Sequence, residues 1–292
     1  DHLLKEIHAA LEHRQKEIKE KREAKKNKIQ AEELKSLSSL LNEELFNALK
    51  FPIELMGYSM RELSRHSRNV SWIGKKIAEK LNLPHIRLVE LAGLYHDIGK
   101  LCLPVQMKKK NPKDWTRQER NIYDKFPEYG SDLVESHFHL KGLASIIYCQ
   151  CENVDGSGFP NQLEGEEIPI EAKVIAVSNA FVEEKCKQIP GNIRLDYEKD
   201  KEIFKMLQPH SGTRFDPSVL KALEEISIDY KNNPLIERNK NILDLRVGMV
   251  LSRDLLSDSG KLIFTSDTQL NEEEVQRILE LHKIDPINEP AF

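Results

Sequence analysis

The residues best suited to chemistry are the adjacent His96 and Asp97, with Gly99 and Lys100 close behind them. An imidazole nitrogen and a carboxylate oxygen are ligand types that suit Zn, Fe or Mn. The apolar run at 88–94 predicts a buried helix ahead of the pair, and Gly99 is expected to end that helix. Lys100 then places a cation where an anionic substrate would lie. A buried ion pair at a helix end, without a metal, is the alternative interpretation of the dipeptide.

A second carboxylate and imidazole occur at helical spacing earlier in the chain. Glu62 and His66 are four residues apart within 61–81, a segment whose apolar residues predict a helix, so both side chains lie on one face. A carboxylate and an imidazole at this spacing can hold one metal ion. The alternative is an ordinary surface pair on a helix, which is favoured if no other donors converge there.

The hydrophobic pattern predicts a mainly α-helical protein with three parts. Residues 1–43 predict a long charged linker helix, and a helix that is polar all round either bridges domains or pairs with a second copy as a homodimer. Residues 44–230 keep helical periodicity and predict a helical domain. Residues 241–292 change to strand-like runs at 249–255 and 261–264, followed by a capped helix, which predicts a small α+β domain.

Composition argues against several function classes. The chain has 44 Lys and Arg against 48 Asp and Glu, a net charge of -4, so it carries no basic footprint for nucleic acid or a membrane surface. No apolar run reaches the length of a membrane span. The four cysteines form no CxxC pair, which favours reduced thiols in a cytoplasmic protein. Without an initiator Met, the sequence is expected to be a fragment of a longer chain.

Several motifs, in order, resemble the HD-GYP family, a branch of the HD superfamily whose members are metal-dependent cyclic di-GMP phosphodiesterases. They lie at 66–67, 96–100, 155–160, 165–169, 172–177 and 212–217. The resemblance implies a compact HD-GYP-like helical bundle around two or three metals, commonly iron, where hydroxide attacks the phosphodiester. The opening segment also looks like the last helix of a receiver domain, which would make the chain a truncated response regulator.

The resemblance assigns roles to the residues that match the family pattern. Glu62, His66, His96 and Asp97 are the implied metal ligands, and Asp97 and Lys100 are the implied catalytic residues. Lys100 and Arg194 are the implied phosphate contacts. The glycine-rich turn implies a surface for cyclic di-GMP signalling partners of the diguanylate-cyclase type. Its implied contact residues are Asp155, Gly156, Gly158, Phe159 and Pro160.

Other family ligands are replaced in this chain. The family histidine before 127–128 is Phe126, the paired histidines fall on Gln150 and Cys151, and the later aspartate is Asn179. Because each ion wants about four to six ligands, four retained side chains predict one divalent ion (Fe, Mn or Zn) or none, and make two metals unlikely. Asn179 oxygen or a Cys151 thiolate would complete a single site; a small buried apolar role is the alternative for Cys151.

These substitutions predict a degenerate HD-GYP signalling module, a non-catalytic or weakly active regulator in cyclic di-GMP signalling. One alternative is an active metal-dependent phosphodiesterase that uses a reduced metal site to hydrolyse cyclic di-GMP or another phosphoester. Another is a receptor that binds cyclic di-GMP without cutting it, with Lys100 and Arg194 on its phosphates.

Overall fold

The computed structural model describes most of the chain after residue 60. The described residues are 28, 45–46, 48–50, 52–53, 60–136, 141–188, 195–232, 241–251, 254–259, 261–264 and 268–287. The chain divides into two compact units, Asp1–Leu49 and Lys50–Phe292, and the residues analysed below all belong to the second. The predicted linker helix at 1–43 lies outside the described residues except for Lys28, which is helical. Dimerisation through this segment therefore stays a prediction.

The second unit is built mainly from α-helices, which confirms the predicted fold class. The helices are α1 (Arg61–Lys80), α2 (Ile86–Tyr95), α3 (Val105–Lys108), α4 (Arg117–Tyr123), α5 (Phe126–Glu135), α6 (Lys141–Cys149), α7 (Ile170–Gln188), α8 (Tyr197–Leu207), α9 (Pro217–Asn232) and α10 (Glu272–Ile284). Short 3₁₀ turns lie at Ile98–Cys102, Pro112–Asp114, Gly165–Glu167, Gln208–His210 and Ile242–Asp244. Two short strands, β1 (Leu255–Leu256) and β2 (Leu262–Phe264), pair antiparallel.

Helix α1 is the central element of the bundle and packs against α2, α7 and α9. Val70, Ile73 and Ile77 are fully buried at helical spacing, so one apolar face of α1 drives this packing. Gly93 lies where α2 meets α1, and a Cβ there would overlap the backbone of Ser71. This close approach of the two helices brings the end of α2 next to His66 of α1.

The segment after α2 corrects one prediction. The prediction that Gly99 ends the helix is wrong, because α2 ends at Tyr95 and Gly99 lies inside the 3₁₀ turn Ile98–Cys102. The glycine is needed for packing instead, since a Cβ at this position would overlap the carbonyl oxygen of Phe126. The contact holds the start of α5 against the turn that carries Lys100.

Several helices begin at a capping residue. Thr116 and Glu119 form a reciprocal capping box at the start of α4, and Asn271 and Glu274 form another at the start of α10. Asp216 accepts a hydrogen bond from the backbone N–H of Ser218 at 2.9 Å and caps α9.

The segment after 241 has its own apolar cluster. Its buried members are Ile242, Leu245, Leu251, Leu255, Leu270, Val275, Ile278 and Ile287. Among the described residues of this segment, β1 and β2 are shorter than the predicted runs at 249–255 and 261–264. The other pairings found there are two isolated bridges, Val250 with Gln269 and Ser257 with Ile287. The guanidinium of Arg68 on α1 pairs with the carboxylate of Asp254 at 2.8 Å. Among the described helices, none has both the length and the apolar character that a membrane span requires.

Candidate metal centre

Three predicted ligands converge at the junction of α1 and α2. His66, His96 and Asp97 each offer one donor atom, and these atoms lie within 4.8 Å of one another. The two imidazole Nε2 atoms are 3.2 Å apart. His96 Nε2 is 3.3 Å from Asp97 Oδ1, and His66 Nε2 is 3.8 Å from Asp97 Oδ2. Among the described residues, no other group of three or more His, Cys, Asp or Glu side chains brings its donor atoms close enough together to hold a metal ion.

The hydrogen bonding of His96 leaves a lone pair directed into the group. His96 Nδ1 lies 2.8 Å from the carbonyl oxygen of Gly93, so we place the proton on Nδ1 as the donor in that hydrogen bond. Burial lowers the pKa of His96 to about 4, which keeps the imidazole neutral near pH 7 and Nε2 free to bind a cation.

Asp97 supplies an unsatisfied oxygen beside that lone pair. Its Oδ1 atom is buried and has no hydrogen-bond partner among the described residues. Burial alone would raise the pKa of the Asp97 carboxyl, but the neighbouring His96 and Lys100 lower it to about 2, so the group is ionised. Two electron-rich atoms then face each other at 3.3 Å. A cation bound between them would satisfy both, so the residues present fit one metal ion.

Asn179, on α7, offers a neutral fourth donor. Its Oδ1 atom lies 2.9 Å from His66 Nε2, and its Nδ2 atom lies 3.4 Å from the carboxylate of Glu183 one turn later. This network turns the amide oxygen towards the three donors. Glu183 was missed by the sequence reasoning, although its spacing of four residues from Asn179 places both on one helix face.

Lys100 adds a fixed positive charge next to the donors. Its Nζ atom donates to Asp97 Oδ2 at 2.7 Å, and 23% of the side chain remains exposed. Burial opposes the charged form, but the Asp97 carboxylate raises the pKa of Lys100 above its ordinary value. The ammonium also lies 5.1 Å from the ring centroid of Phe126 and 5.9 Å from that of Tyr123. The sequence reasoning identified Lys100 but not this aromatic pair.

Two predicted ligands do not join the group. Glu62 lies on α1, one turn before His66, but its side chain is 81% exposed and pairs with the guanidinium of Arg65. Burial raises the pKa of the Cys151 thiol to about 12, so the sulfur carries its proton near pH 7. A protonated thiol is a poor metal ligand, and the arrangement agrees with the alternative role of Cys151 as a small buried residue.

The polar side chains around Cys151 serve the backbone instead of the donor group. Gln150 Nε2 donates to the carbonyl oxygens of His96 at 2.6 Å and Ile147 at 3.0 Å. Glu152 accepts hydrogen bonds from the backbone N–H groups of Asn161 at 2.7 Å and Leu163 at 3.1 Å. These contacts hold the end of α6 and the glycine-rich turn in place without contributing donors to the metal.

The glycine-rich turn at 155–160 forms a defined structure apart from the three donors. Asp155 Oδ1 accepts from the N–H of Ser157 at 3.0 Å, and Gly156 takes the left-handed conformation with φ of 77°. The backbone N–H of Asp155 also donates to the carbonyl oxygen of Thr213 at 2.9 Å. Phe159 and Pro160 are half-buried and joined by a cis peptide bond. Arg194, the other predicted phosphate contact, lies outside the described residues.

Comparison with known proteins identifies relatives of the helical part. A family model described as an HD domain matches residues 50–219. The chain is 35% identical over 117 residues, 38% of its length and 30% of the relative, to a cyclic di-GMP phosphodiesterase response regulator of Xanthomonas campestris. It is 30% identical over 185 residues, 61% of its length and 48% of the relative, to a cyclic di-GMP phosphodiesterase of Thermotoga maritima.

Further similarities extend the set without adding detail about the site. A 3'3'-cGAMP-specific phosphodiesterase of Vibrio cholerae is 29% identical over 169 residues, 56% of this chain and 31% of that relative. Among solved structures, an HDG"Y"P protein from Bdellovibrio bacteriovorus aligns with a TM-score of 0.42 at 22% identity, over 55% of this chain and 51% of that one. The chain thus spans between about a third and a half of the length of these three curated relatives.

Proposed function

Because the chain belongs to the HD-domain family, we propose that it is a regulatory module of cyclic dinucleotide signalling that binds the nucleotide at a one-cation centre and hydrolyses it slowly or not at all. The observation that carries this proposal is the donor set: among the described residues, His66, His96 and Asp97 form the compact group of charged or imidazole ligands. Relatives named as cyclic di-GMP and 3'3'-cGAMP phosphodiesterases suggest the class of nucleotide.

The donor count limits the chemistry of the centre. Each ion needs about four to six ligands, and a catalytic centre keeps one position for water. His66, His96, Asp97 and the Asn179 oxygen supply enough for one ion. A second ion about 4 Å away would need further anionic ligands to offset the repulsion between two dications. Glu62 faces solvent and Phe126 is apolar, so neither supplies one.

The residues of the chain can bind and orient a phosphodiester. A bound divalent ion would polarise the phosphate oxygen and lower the pKa of its water ligand. The exposed part of Lys100 lets the ammonium pair with phosphate charge. Because the pKa of Lys100 is raised, it keeps its proton and acts as a charge partner, not as a general acid for the leaving oxygen. A lysine that stays protonated favours binding of the phosphodiester more strongly than its hydrolysis.

The competing function is an active phosphodiesterase with a single ion. The orphaned Asp97 Oδ1 atom beside the His96 lone pair favours binding of one ion, and one ion is the minimum for generating hydroxide. The two functions share a ligand and differ in turnover, so one experiment separates them.

The glycine-rich turn is proposed to be the surface through which the module acts on a partner of the diguanylate-cyclase type. Asp155 is exposed, and Glu152 holds the following backbone through Asn161 and Leu163. Because the turn is already fixed, a partner could bind it without the conformational entropy that is lost when a flexible loop becomes ordered.

The test is binding and turnover measured on one preparation. The purified chain is loaded with Mn²⁺ or, without oxygen, with Fe²⁺, and then titrated calorimetrically with cyclic di-GMP, 3'3'-cGAMP and cyclic di-AMP. Products are followed by chromatography. We expect binding that weakens in Lys100→Ala but not in Lys125→Ala, an exposed lysine next to Phe126. Conversion should be absent or far slower than binding.

Two results would decide against the proposal. Repeated turnover that disappears in His96→Ala would establish the active phosphodiesterase. Absence of heat with all three nucleotides, from protein that holds its metal, would remove cyclic dinucleotide binding altogether.

A further inference from the structure

The ammonium group of Lys100 contacts both a carboxylate and two aromatic rings. Its ammonium contacts Asp97 Oδ2 at 2.7 Å, from a position three residues along the same 3₁₀ turn. On its other side lie the rings of Phe126 and Tyr123, whose centroids are 5.1 Å apart. A cation at this distance from aromatic faces is attracted by their quadrupoles.

The aromatic side of this arrangement is fixed by backbone packing. Phe126 is 4% exposed, and its carbonyl oxygen touches Gly99 so closely that no side chain fits there. Trp115 packs on Tyr123 with ring centroids 4.7 Å apart, which supports the second ring from behind. These contacts fix the two rings next to the ammonium.

The two oxygens of Asp97 have different partners. Oδ1 faces the lone pair of His96 and has no hydrogen bond, while Oδ2 accepts from Lys100. An ion bound at Oδ1 must share the carboxylate with the ammonium, and an ion at Oδ2 must displace it. Both contacts place like charges within a few ångströms of each other in a poorly hydrated site.

We propose that Lys100 is a tethered cation that competes with the divalent ion for Asp97 and so weakens the binding of that ion at the centre. Phe126 and Tyr123 act as positioning residues, because they hold the ammonium beside Oδ2. The inference rests on the proposed one-cation centre and adds the residue that sets how tightly the ion binds.

The experiment uses Mn²⁺ alone, without nucleotide. Metal-stripped chain is titrated calorimetrically, and bound metal per chain is measured after gel filtration. We expect Lys100→Met to bind Mn²⁺ at least about tenfold more tightly than the unaltered chain, since it removes a positive charge from the shared carboxylate. Lys100→Gln, which keeps polarity without charge, should behave in the same way.

Two further variants separate the tether from a general charge effect. Lys125→Met removes an exposed positive charge one residue before Phe126, and should change the affinity by less than about twofold. Phe126→Leu keeps an apolar side chain but removes the aromatic face, and should give an affinity between those of the unaltered chain and Lys100→Met.

The outcomes distinguish this inference from the proposed centre. If both Lys100 variants fold, as judged by circular dichroism, and bind Mn²⁺ no more tightly than the unaltered chain, the tethered cation is overturned while the one-ion centre stands. A Lys125→Met variant that matches Lys100→Met would also overturn it. Failure of the unaltered chain to bind Mn²⁺ at all would overturn the centre and this inference together. If the Phe126→Leu variant does not fold, the affinities of the two Lys100 variants decide.

Discussion

On the α1 and α2 side of the centre, His66, His96 and Asp97 direct their donor atoms at one another. On the α5 and α6 side, Phe126 is apolar and Gln150 donates through Nε2 to backbone carbonyls. Both sides are well packed. The first leaves Asp97 Oδ1 without a hydrogen-bond partner at 3.3 Å from His96 Nε2, while the second uses the Gln150 amide to satisfy the backbone carbonyls of His96 and Ile147. The comparison shows that close packing on both sides of His96 does not by itself place metal donors on both sides.

Removing the central donor of the first side should have the largest effect. His96→Ala takes away the buried Nε2 lone pair, so Mn²⁺ affinity should fall by at least about a hundredfold. His85→Ala is the matched control, because His85 is exposed at the start of α2, outside the donor group. Calorimetry measures both. A His96→Ala variant that binds as well as the control would show that the ion lies elsewhere.

The buried histidine should also make the metal-free protein sensitive to acid. Burial lowers the pKa of His96 to about 4, below its ordinary value, so the unfolded chain binds more protons than the folded one between the two pKa values. Stability is therefore full above about pH 6.5 and should lose about 3 kcal/mol as the pH falls towards 4. Urea unfolding with chelator present checks this against His96→Gln, which lacks the titrating group. Equal pH slopes in the two proteins would contradict the assignment.

A substitution on the α5 and α6 side should change the stability of the protein but not its affinity for metal. Glu152→Gln replaces the carboxylate that accepts from Asn161 and Leu163, and should lower the free energy of unfolding by about 1–3 kcal/mol. Mn²⁺ affinity should not change. Glu135→Gln, at an exposed position on α5, is expected to stay within about 0.5 kcal/mol of the unaltered chain. A loss of metal binding in Glu152→Gln would mean that the two sides are not separate.

A carboxylate at the edge between the two sides should strengthen the centre moderately. Asn179→Asp puts a negative charge beside His66 Nε2, where the amide oxygen lies at 2.9 Å, and should tighten Mn²⁺ binding about tenfold. Repulsion from the Glu183 carboxylate one turn later limits the gain. The same titration in Asn161→Asp, at an exposed position in the turn region, gives the control. Weaker binding in Asn179→Asp than in this control would contradict the orientation assigned to the amide.

The smallest effect is expected at Glu62. Its carboxylate is 81% exposed and pairs with Arg65, so Glu62→Gln should change Mn²⁺ affinity by less than about twofold. A loss of tenfold or more would show that Glu62 turns inward to bind the ion, and the donor count would have to be raised by one.

The sequence predicted the first side better than the second for physical reasons. Adjacency placed His96 and Asp97 together, and the resemblance to the HD-GYP family implied that His66 would join them. Helical spacing could not show that Glu62 would lean out to Arg65, because four residues place two side chains on one face without fixing their direction. The position of Phe126 beside Lys100 depends on the contact between its carbonyl and Gly99, a long-range packing detail that no local pattern carries.

We propose that His66, His96 and Asp97 hold one divalent ion, and this can be tested by counting the ions bound at these residues in the crystal. Crystals of the unaltered chain soaked in excess Mn²⁺ would be measured at the manganese absorption edge, with elemental analysis of the same protein in solution. We expect one anomalous peak, contacting His66, His96 and Asp97, and one manganese per chain. Two fully occupied peaks about 4 Å apart at this position would contradict it.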